Sequence, residues 1–342
     1  MNVKSSARRL ILIVVLSSPI EGFVTTVRAV KPSIPPYAVS GLLTEPRLFG
    51  EGIISTRDDE FGGVFTPDGK TCFFSLSVPR HYQYLILASH FVGGKWSTPE
   101  IAPFSGVYRD SDPVLSPDGS RLYFASDRPV DKKPKHDFDI WVVERTKHGW
   151  GEPKNLGAPI NSDSNEDFAS VTADGTIYFS STRAGAKGGP GDSDIYRARP
   201  VNGKYEKVEH LGDEINSEAF ELDCLIAPDE SFLLIGSYAR PDGFGNYDIY
   251  VSNNHNGVWT PSRNLGPKVN TSARDYSPRI SPDGKYLFFT SERDFTMQPL
   301  TKPLTYSALV EGLHSTLNGS GNIYQIELSA IGIGSAVSIE SK

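Results

Sequence analysis

A phrase of the type Ser/Thr-Pro-Asp-Gly, or a close variant, returns five times along this chain of 342 residues and constrains the fold more than any other feature. Its aspartates are separated by 50, 56, 55 and 54 residues: Asp68, Asp118, Asp174, Asp229 and Asp283. Pro, Asp and Gly at successive positions favour a tight turn. A period of this length, without helical periodicity inside the unit, predicts a β-propeller and excludes a helical solenoid.

Each turn is followed by three further strand signals in a fixed order. An apolar run ending in Ser comes first, as at residues 122–126. An Asp-Ile-aromatic triplet follows, as at residues 139–141, and then an aromatic residue with a Leu-Gly pair, as at Trp150 and residues 156–157. Together with the strand before the turn, these signals predict an all-β fold, a five-bladed β-propeller of four-stranded antiparallel blades.

The last blade lacks a fourth strand at the end of the chain, and the missing signal appears near its beginning. Residues 48–50 followed by Ile53 match residues 156–157 followed by Ile160. We therefore expect residues 46–54 to form the outer strand of the last blade. Such an N-terminal strand would close the ring and leave no open edge between the first and last blades.

The repeat resembles that of a known family. The phrase at residues 281–284, an aromatic strand ending in Ser-x-Arg, and Asp-Ile-Tyr are similar to the TolB-type, WD-repeat-like propeller repeat of bacterial periplasmic and secreted proteins. The resemblance covers residues 45–328. It implies a binding protein, an assembly scaffold or a propeller domain attached to a peptidase. TolB itself has six blades and a separate amino-terminal α/β domain, and this sequence shows neither.

The amino terminus predicts export. Lys4, Arg8 and Arg9 precede an apolar run at residues 10–16, and small or apolar residues precede a cleavage point near Ala29. This pattern is typical of a secretory signal peptide, so we expect a periplasmic or secreted protein. No later segment reaches the roughly 20 apolar residues of a membrane-spanning helix. The expected boundaries are a signal peptide at 1–29, a linker at 30–44, the propeller at 45–328 and a C-terminal tail at 329–342.

The charge balance excludes one class of partner. The chain has 41 acidic and 34 basic residues, a net charge of −7, and removal of residues 1–29 would leave 30 − 40 = −10. Nucleic-acid binding needs clustered Lys and Arg, so we expect an envelope or extracellular protein, a peptide or a glycan as partner. The sequence has no phosphate-binding loop, and its two cysteines, Cys72 and Cys224, are expected to be buried thiols. No cofactor is implied.

Acidic residues recur in one register. Counting back eight residues from each repeat aspartate always reaches a carboxylate: Glu60, Asp110, Glu166, Glu221 and Asp275. Further carboxylates lie beside them: Asp59, Asp112, Asp167 and Asp223. Residues just before the innermost strand of a propeller lie near the rim of its channel. We expect these acids on one face, together with the loops that join the second and third strands.

One arginine per blade follows the second strand: Arg80, Arg128, Arg183, Arg240 and Arg293. One interpretation is a ring of ion pairs between blades, since uncompensated carboxylates near one axis would raise one another's pKa. The other is an acidic funnel that binds a cation, a basic peptide or a sugar. We favour the first, and the spare carboxylates keep the second open. These arginines and the acids, apart from Asp59, are the candidate binding residues.

Three functions remain open at this point. The first is a non-catalytic propeller that binds a protein, peptide or glycan on its loop face. The second is a propeller glycoside hydrolase, which needs two carboxyls roughly 5–9.5 Å apart, drawn from Glu60, Asp112, Glu166, Glu221 and Asp275. The third is a structural module that holds a calcium-type ion, because hard cations prefer oxygen ligands.

One connection is longer than its counterparts. Residues 294–321 replace loops of roughly 4–11 residues in the other blades, and long loops are often functional. Residues 306–313 have the pattern of a short amphipathic helix. We expect this segment to act as a flap over the channel mouth.

Overall fold

The computed structural model describes residues 34–78, 83–131, 135–189, 191–297 and 302–334. Five antiparallel sheets follow one another along the chain and form the blades of a five-bladed propeller. The predicted fold is therefore confirmed. The predicted signal peptide and Arg80 lie outside the described residues.

The strands are numbered in chain order. The first, β1, is Arg47–Leu48. Blade 1 contains β2 Asp59–Phe65, β3 Thr71–Val78, β4 Gln83–Val92, β5 Lys95–Trp96 and β6 Glu100–Ile101. Blade 2 contains β7 Asp110–Leu115, β8 Arg121–Ser126, β9 Asp139–Thr146, β10 Gly149–Trp150 and β11 Lys154–Asn155.

Blade 3 contains β12 Glu166–Val171, β13 Ile177–Ser181, β14 Asp194–Ala198, the hairpin β15 Pro200–Val201 and β16 Lys204–Tyr205, and β17 Glu209–His210. Blade 4 contains β18 Phe220–Ile226, β19 Phe232–Tyr238, β20 Tyr247–His255, β21 Val258–Trp259 and β22 Arg263–Asn264. Blade 5 contains β23 Asp275–Ile280, β24 Tyr286–Ser291 and β25 Asn322–Glu327.

The repeated turns have one local chemistry. In the first, the Asp68 carboxylate accepts hydrogen bonds from Thr66 Oγ1 at 2.6 Å and from the backbone N–H of Lys70 at 3.0 Å. Gly69 follows with φ of +69°, a left-handed conformation that glycine adopts without a steric penalty. These local bonds explain why a four-residue phrase fixes the hairpin between the two inner strands of each blade.

The two chain ends meet in blade 5. Strand β1 pairs antiparallel with β25, with Arg47 opposite Gln325 and Leu48 opposite Tyr324. Phe49 then packs on blade 1 and blade 5 at once, because its ring centroid lies 5.7 Å from Trp96 and 5.2 Å from Phe288. The predicted closure of the ring by an N-terminal strand is thus confirmed.

Apolar side chains fill the spaces between neighbouring blades. The ring of Trp150 in blade 2 lies 5.8 Å from Phe73 in blade 1, and Trp259 in blade 4 lies 6.4 Å from Tyr178 in blade 3. Cys72 is buried within the same kind of packing. Both Cys72 and Cys224 are free and buried, as expected.

The packed fold extends beyond both predicted boundaries. Tyr37, in the segment expected to be a linker, is buried against Phe65, with ring centroids 5.1 Å apart. At the other end, a 3-10 helix at Leu328–Ile331 continues from β25, and Ile331 and Ile333 are buried in the core of blades 4 and 5. The assignments of linker and tail are corrected accordingly, because apolar residues on both sides of the repeats cover the end blades.

The innermost strand of every blade contains a register shift. In four of them the shift coincides with a left-handed residue, namely Gly62, Asp112, Phe168 and Ser277. Such bulges bend a strand and re-aim its side chains. They act here at the residues that line the channel.

The long connection of blade 5 contains the predicted helix, α1, at Tyr306–Leu313, where the Thr305 side chain accepts a hydrogen bond from the N–H of Ala308. The base of the connection is fastened to blade 1 through Asn318, which donates to the carbonyl oxygen of Arg57 at 2.8 Å. Within the described part of the chain, no helix has the length and apolar character to cross a bilayer.

Candidate functional site

The acids of the repeat register lie at the loop-face end of the innermost strands. Each stands opposite the last residues of the second strand, as Asp110 does opposite Ser126. Four of them form ion pairs with the arginine of their blade: Asp110–Arg128 at 2.6 Å, Glu166–Arg183 at 3.2 Å, Glu221–Arg240 at 2.8 Å and Asp275–Arg293 at 3.0 Å. All four carboxylates are fully buried.

These ion pairs lie within blades and not between them, which corrects the expected arrangement. Each arginine also donates to a carbonyl oxygen of the segment that enters its own blade, at Phe104, Ile160, Ile215 and Val269. The guanidinium fork therefore holds the incoming connection against the first two strands. Each of these four arginines thus pairs with the acid of the blade whose second strand it follows.

Glu60 occupies the same register in blade 1. Its carboxylate accepts hydrogen bonds from the N–H of Thr56 at 3.0 Å and from Thr56 Oγ1 at 2.5 Å. Ser162, Ser217 and Thr271 bind the equivalent acids of blades 3, 4 and 5 in the same way. Burial raises the pKa of Glu60 to about 7. All five acids of the repeat register, which we call the ring acids, thus bind the chain segments that lead into their blades.

Three other carboxylates lie at the register shifts of the innermost strands. Asp223 accepts hydrogen bonds from Tyr247 Oη at 2.5 Å and from the N–H and Oγ of Ser277 at 3.0 and 3.1 Å. Asp167 accepts a short hydrogen bond from Ser180 Oγ. Asp112 differs from both, because its Oδ1 is buried and has no hydrogen-bond partner among the described residues.

Burial is the main cause of the altered acidity of these three groups. It raises the pKa of Asp167 to about 7. The pKa values of Asp112 and Asp223 are raised for the same reason, and Asp223 adds repulsion at Asp112, whereas Arg279 opposes both shifts. The folded protein therefore holds protons at carboxyls that the unfolded chain releases.

Arg279 was missed by the sequence interpretation. It is 1% exposed, and its guanidinium extends from blade 5 to blade 2, where Nε donates to the carbonyl oxygen of Pro113 at 3.4 Å. A signal was available, since the other blades carry uncharged residues at the same distance before the repeat aspartate: Val64, Val114, Ser170 and Leu225. A single arginine in such a register marks a position that the repeat itself does not specify.

A cavity of about 190 Å³ opens at the loop-face end of the channel. Its walls include Asp112, Asp167, Asp59 and Arg274. Aromatic residues from all five blades complete them: Phe61, Tyr84, Phe138, Phe168, Tyr247 and Tyr276. We call this space the mouth cavity. At the opposite end of the channel, a mainly apolar cavity of about 460 Å³ is lined by the ends of the innermost strands and by the turns.

The aromatic rings form a continuous arc around the mouth cavity. Tyr247 stacks on Tyr276 with centroids 5.5 Å apart, and Tyr276 lies 6.4 Å from Phe61. Tyr84 lies 6.1 Å from Phe61 and 6.3 Å from Phe138. The sequence indicated two of these rings, because Tyr276 and Phe168 lie within two residues of the register acids.

The long connection of blade 5 does not cover this cavity. Its base reaches the rim, where the N–H of Gly321 donates to Asp59 Oδ1 at 2.9 Å. No residue of the described segment 302–318 lines the cavity, however. The helix α1 instead leaves Tyr306 82% exposed. The predicted flap is therefore not closed over the mouth in this structure.

Among the described residues, no group of three or more His, Cys, Asp or Glu side chains is placed so that it could hold a metal ion. The calcium-type ion remains an expectation from the sequence.

Asp167 provides a test of the buried carboxyls. An acid with a raised pKa destabilises the folded state as pH increases from the unfolded value near 4 towards about 7, because the unfolded chain releases its proton first. We expect Asp167→Asn to make the decline of unfolding free energy between pH 5 and 7 shallower, by up to about 1 kcal/mol per pH unit. Urea unfolding at several pH values would measure this. The exposed Asp163→Asn is the matched control, and pH profiles parallel to wild type for both variants would contradict the assignment.

A scan against protein-family models found no match, and no curated protein matches the chain. Solved structures do. A putative TolB from Agrobacterium tumefaciens gives a TM-score of 0.47 at 15% identity, covering 79% of this chain and 90% of that one. TolB from Acinetobacter baumannii gives 0.45 at 17% identity, covering 82% and 56%. The catalytic domain of a Coprinopsis cinerea GH62 α-L-arabinofuranosidase gives 0.46 at 10% identity, covering 84% and 98%. The predicted resemblance to TolB-type propellers holds for the fold, which the five sheets described above establish by themselves.

Proposed function

We propose that this protein is an exported, non-catalytic propeller that binds a peptide segment of an envelope or extracellular protein at its mouth cavity. The observation that carries the proposal is that two separate sets of carboxylates have different surroundings. The ring acids are engaged within their blades, while a separate set of aromatic and acidic side chains lines a concave surface at the channel end. Aromatic residues around a few polar groups are typical of binding sites. The periplasmic or secreted location rests on the pattern of the amino terminus.

The same division argues against a glycoside hydrolase. That chemistry needs one carboxyl that donates a proton and a second that acts as nucleophile or base, both within reach of the sugar. Of the five candidate acids, Glu60, Glu166, Glu221 and Asp275 are buried and engaged by hydroxyl, amide or guanidinium groups. Only Asp112 retains an oxygen without a partner. A single carboxyl with an unpaired oxygen can bind a polar group, but it cannot supply both of the roles that glycoside hydrolysis requires.

A binding screen tests this proposal. Purified full chain would be applied to peptide and glycan arrays, and the hits compared with those of two variants. Phe138→Ala removes a ring of blade 2 from the mouth cavity. Phe244→Ala removes a 50% exposed ring from a loop of blade 4, and Phe244 does not line the cavity. Because aromatic residues in a binding pocket contribute roughly 2 kcal/mol or more, we expect Phe138→Ala to weaken peptide hits more than tenfold and Phe244→Ala to leave them unchanged.

Three outcomes would contradict the proposal. These are an absence of peptide hits, hits that Phe138→Ala does not weaken, and release of sugar from a glycan by the wild-type chain. The first two would remove the mouth cavity as a binding site. The third would establish the hydrolase instead.

A further inference from the structure

We infer that the mouth cavity accepts one basic side chain, arginine or lysine, of the bound segment. This inference rests on the proposed function and specifies the chemistry of its ligand. The cavity, at about 190 Å³, is smaller than the roughly 300–1,000 Å³ of sites that enclose a whole small molecule. Its size therefore suits a single side chain inserted from a longer peptide.

The first argument is the unpartnered oxygen of Asp112. This residue is 4% exposed, lines the cavity, and its Oδ1 makes no hydrogen bond to any described residue. No lysine or arginine nitrogen in the described ranges forms an ion pair with it within 4.0 Å. Burial disfavours the charged form of this carboxyl, and a charge-assisted hydrogen bond from an ammonium or guanidinium group to Oδ1 would stabilise that form.

The backbone holds Asp112 in this place. The residue occupies the bulge of β7 with φ of +54°, and its N–H donates to Ser75 Oγ of blade 1 at 2.9 Å. A non-glycine residue in the left-handed region is uncommon and carries strain. The neighbouring blade therefore fixes the backbone position from which the Asp112 carboxylate extends.

The second argument is charge. Asp59, Asp112 and Asp167 line the cavity, and among its described lining residues the only cation is Arg274. That guanidinium is already paired with Glu292 at 3.0 Å. Behind the wall, Arg279 faces Asp223 as well as Asp112. The cavity thus carries an excess of acidic groups, which favours a cationic ligand and disfavours an anionic one.

The third argument is the aromatic wall. A cation within about 6 Å of a ring centroid is attracted to the face of the ring. The wall already accommodates guanidinium groups of the protein itself, since Arg274 lies 5.2 Å from the Tyr276 centroid and Arg109 lies 4.7 Å from that of Phe138. No arginine or lysine of the described residues stacks on Phe61 or Phe168. These two rings are therefore the surfaces on which an incoming cation would lie.

The test uses two tripeptides of similar shape, in which the charged guanidinium of arginine is compared with the uncharged urea group of citrulline. Binding of Ac-Gly-Arg-Gly-NH₂ and of its uncharged citrulline analogue to the full chain would be measured by calorimetry or NMR titration. We expect the arginine tripeptide to bind at least tenfold more tightly. Asp112→Asn should abolish most of this difference by weakening the arginine tripeptide at least tenfold without affecting the citrulline analogue. Asp163→Asn, an exposed carboxylate of the same face, should change neither affinity.

The variant is suited to the test because asparagine tolerates the left-handed region as well as aspartate does. A near-UV spectrum equal to that of wild type would verify its folding. Phe61→Leu provides a second variant, since it removes the ring face but keeps an apolar side chain, and it should also weaken the arginine tripeptide selectively.

Equal affinities of the two tripeptides for wild type, or no binding of the arginine tripeptide, would overturn the inference. Wild-type affinity in both Asp112→Asn and Phe61→Leu would do the same. Failure of the proposed function has a different signature, because it would appear as an absence of array hits sensitive to Phe138→Ala. Hits that respond to Phe138→Ala but contain no basic residue would refute this inference alone.

Discussion

Replacing Arg128 by methionine is expected to lower the free energy of unfolding by about 3–5 kcal/mol, as found when one partner of a buried ion pair is removed. Methionine keeps much of the apolar stem but leaves the fully buried Asp110 carboxylate without its 2.6 Å partner. The carbonyl oxygen of Phe104 also loses its donor at 3.1 Å. Urea unfolding near pH 7.5 would measure the effect.

The loss should diminish towards pH 5. Burial already raises the pKa of Asp110 despite the opposing effect of Arg128, so the variant can protonate this carboxyl and avoid an unpaired buried charge. Arg121→Met is the matched control, because Arg121 pairs with Glu144 at 3.8 Å on the surface, with both side chains about half exposed. Exposed pairs contribute within about 1 kcal/mol. Equal losses of unfolding free energy in the two variants would show that the buried pair stabilises the fold no more than a surface pair does.

The second large effect is expected at the seam of the ring. Phe49→Ala should lower the free energy of unfolding by about 3–5 kcal/mol, because a large buried ring is replaced by a cavity. Phe49 is 4% exposed and contacts Phe65, Trp96 and Phe288, which belong to the first and last blades. The variant thus weakens the joint that turns five blades into a closed ring.

Chemical denaturation with tryptophan fluorescence would measure this, since Trp96 lies directly in the seam. The 50% exposed Phe244 supplies the control, and Phe244→Ala should change stability by less than about 0.5 kcal/mol. A loss below 1 kcal/mol in Phe49→Ala would mean that the interfaces between the remaining blades, and not the seam, hold the ring together.

Much of the candidate site could be predicted because it is repeated. The register of Asp110 and its counterparts, the arginine after each second strand and the face that carries both were all readable from spacing. Within the long connection, the helix at Tyr306–Leu313 was predicted from its pattern and is present. The sequence could not predict which acid each arginine pairs with, since spacing does not distinguish a partner within the blade from one in the next blade.

The features near the axis escaped prediction for a different reason. Arg279 has no counterpart in the other blades, and residues distant in sequence create both its environment and that of Asp112 Oδ1. The burial of Tyr37 likewise depends on Phe65 and Tyr286, which the repeat brings together from the first and last blades.

The sequence by itself determined the blades, their number and the closing strand, because turn chemistry and strand alternation act between residues close in the chain and recur with each repeat. Only the tertiary structure decided that the register acids are engaged within their blades while Asp112 Oδ1 has no hydrogen-bond partner among the described residues. Five innermost strands converge on one axis, and burial and pairing there depend on side chains from all five blades at once.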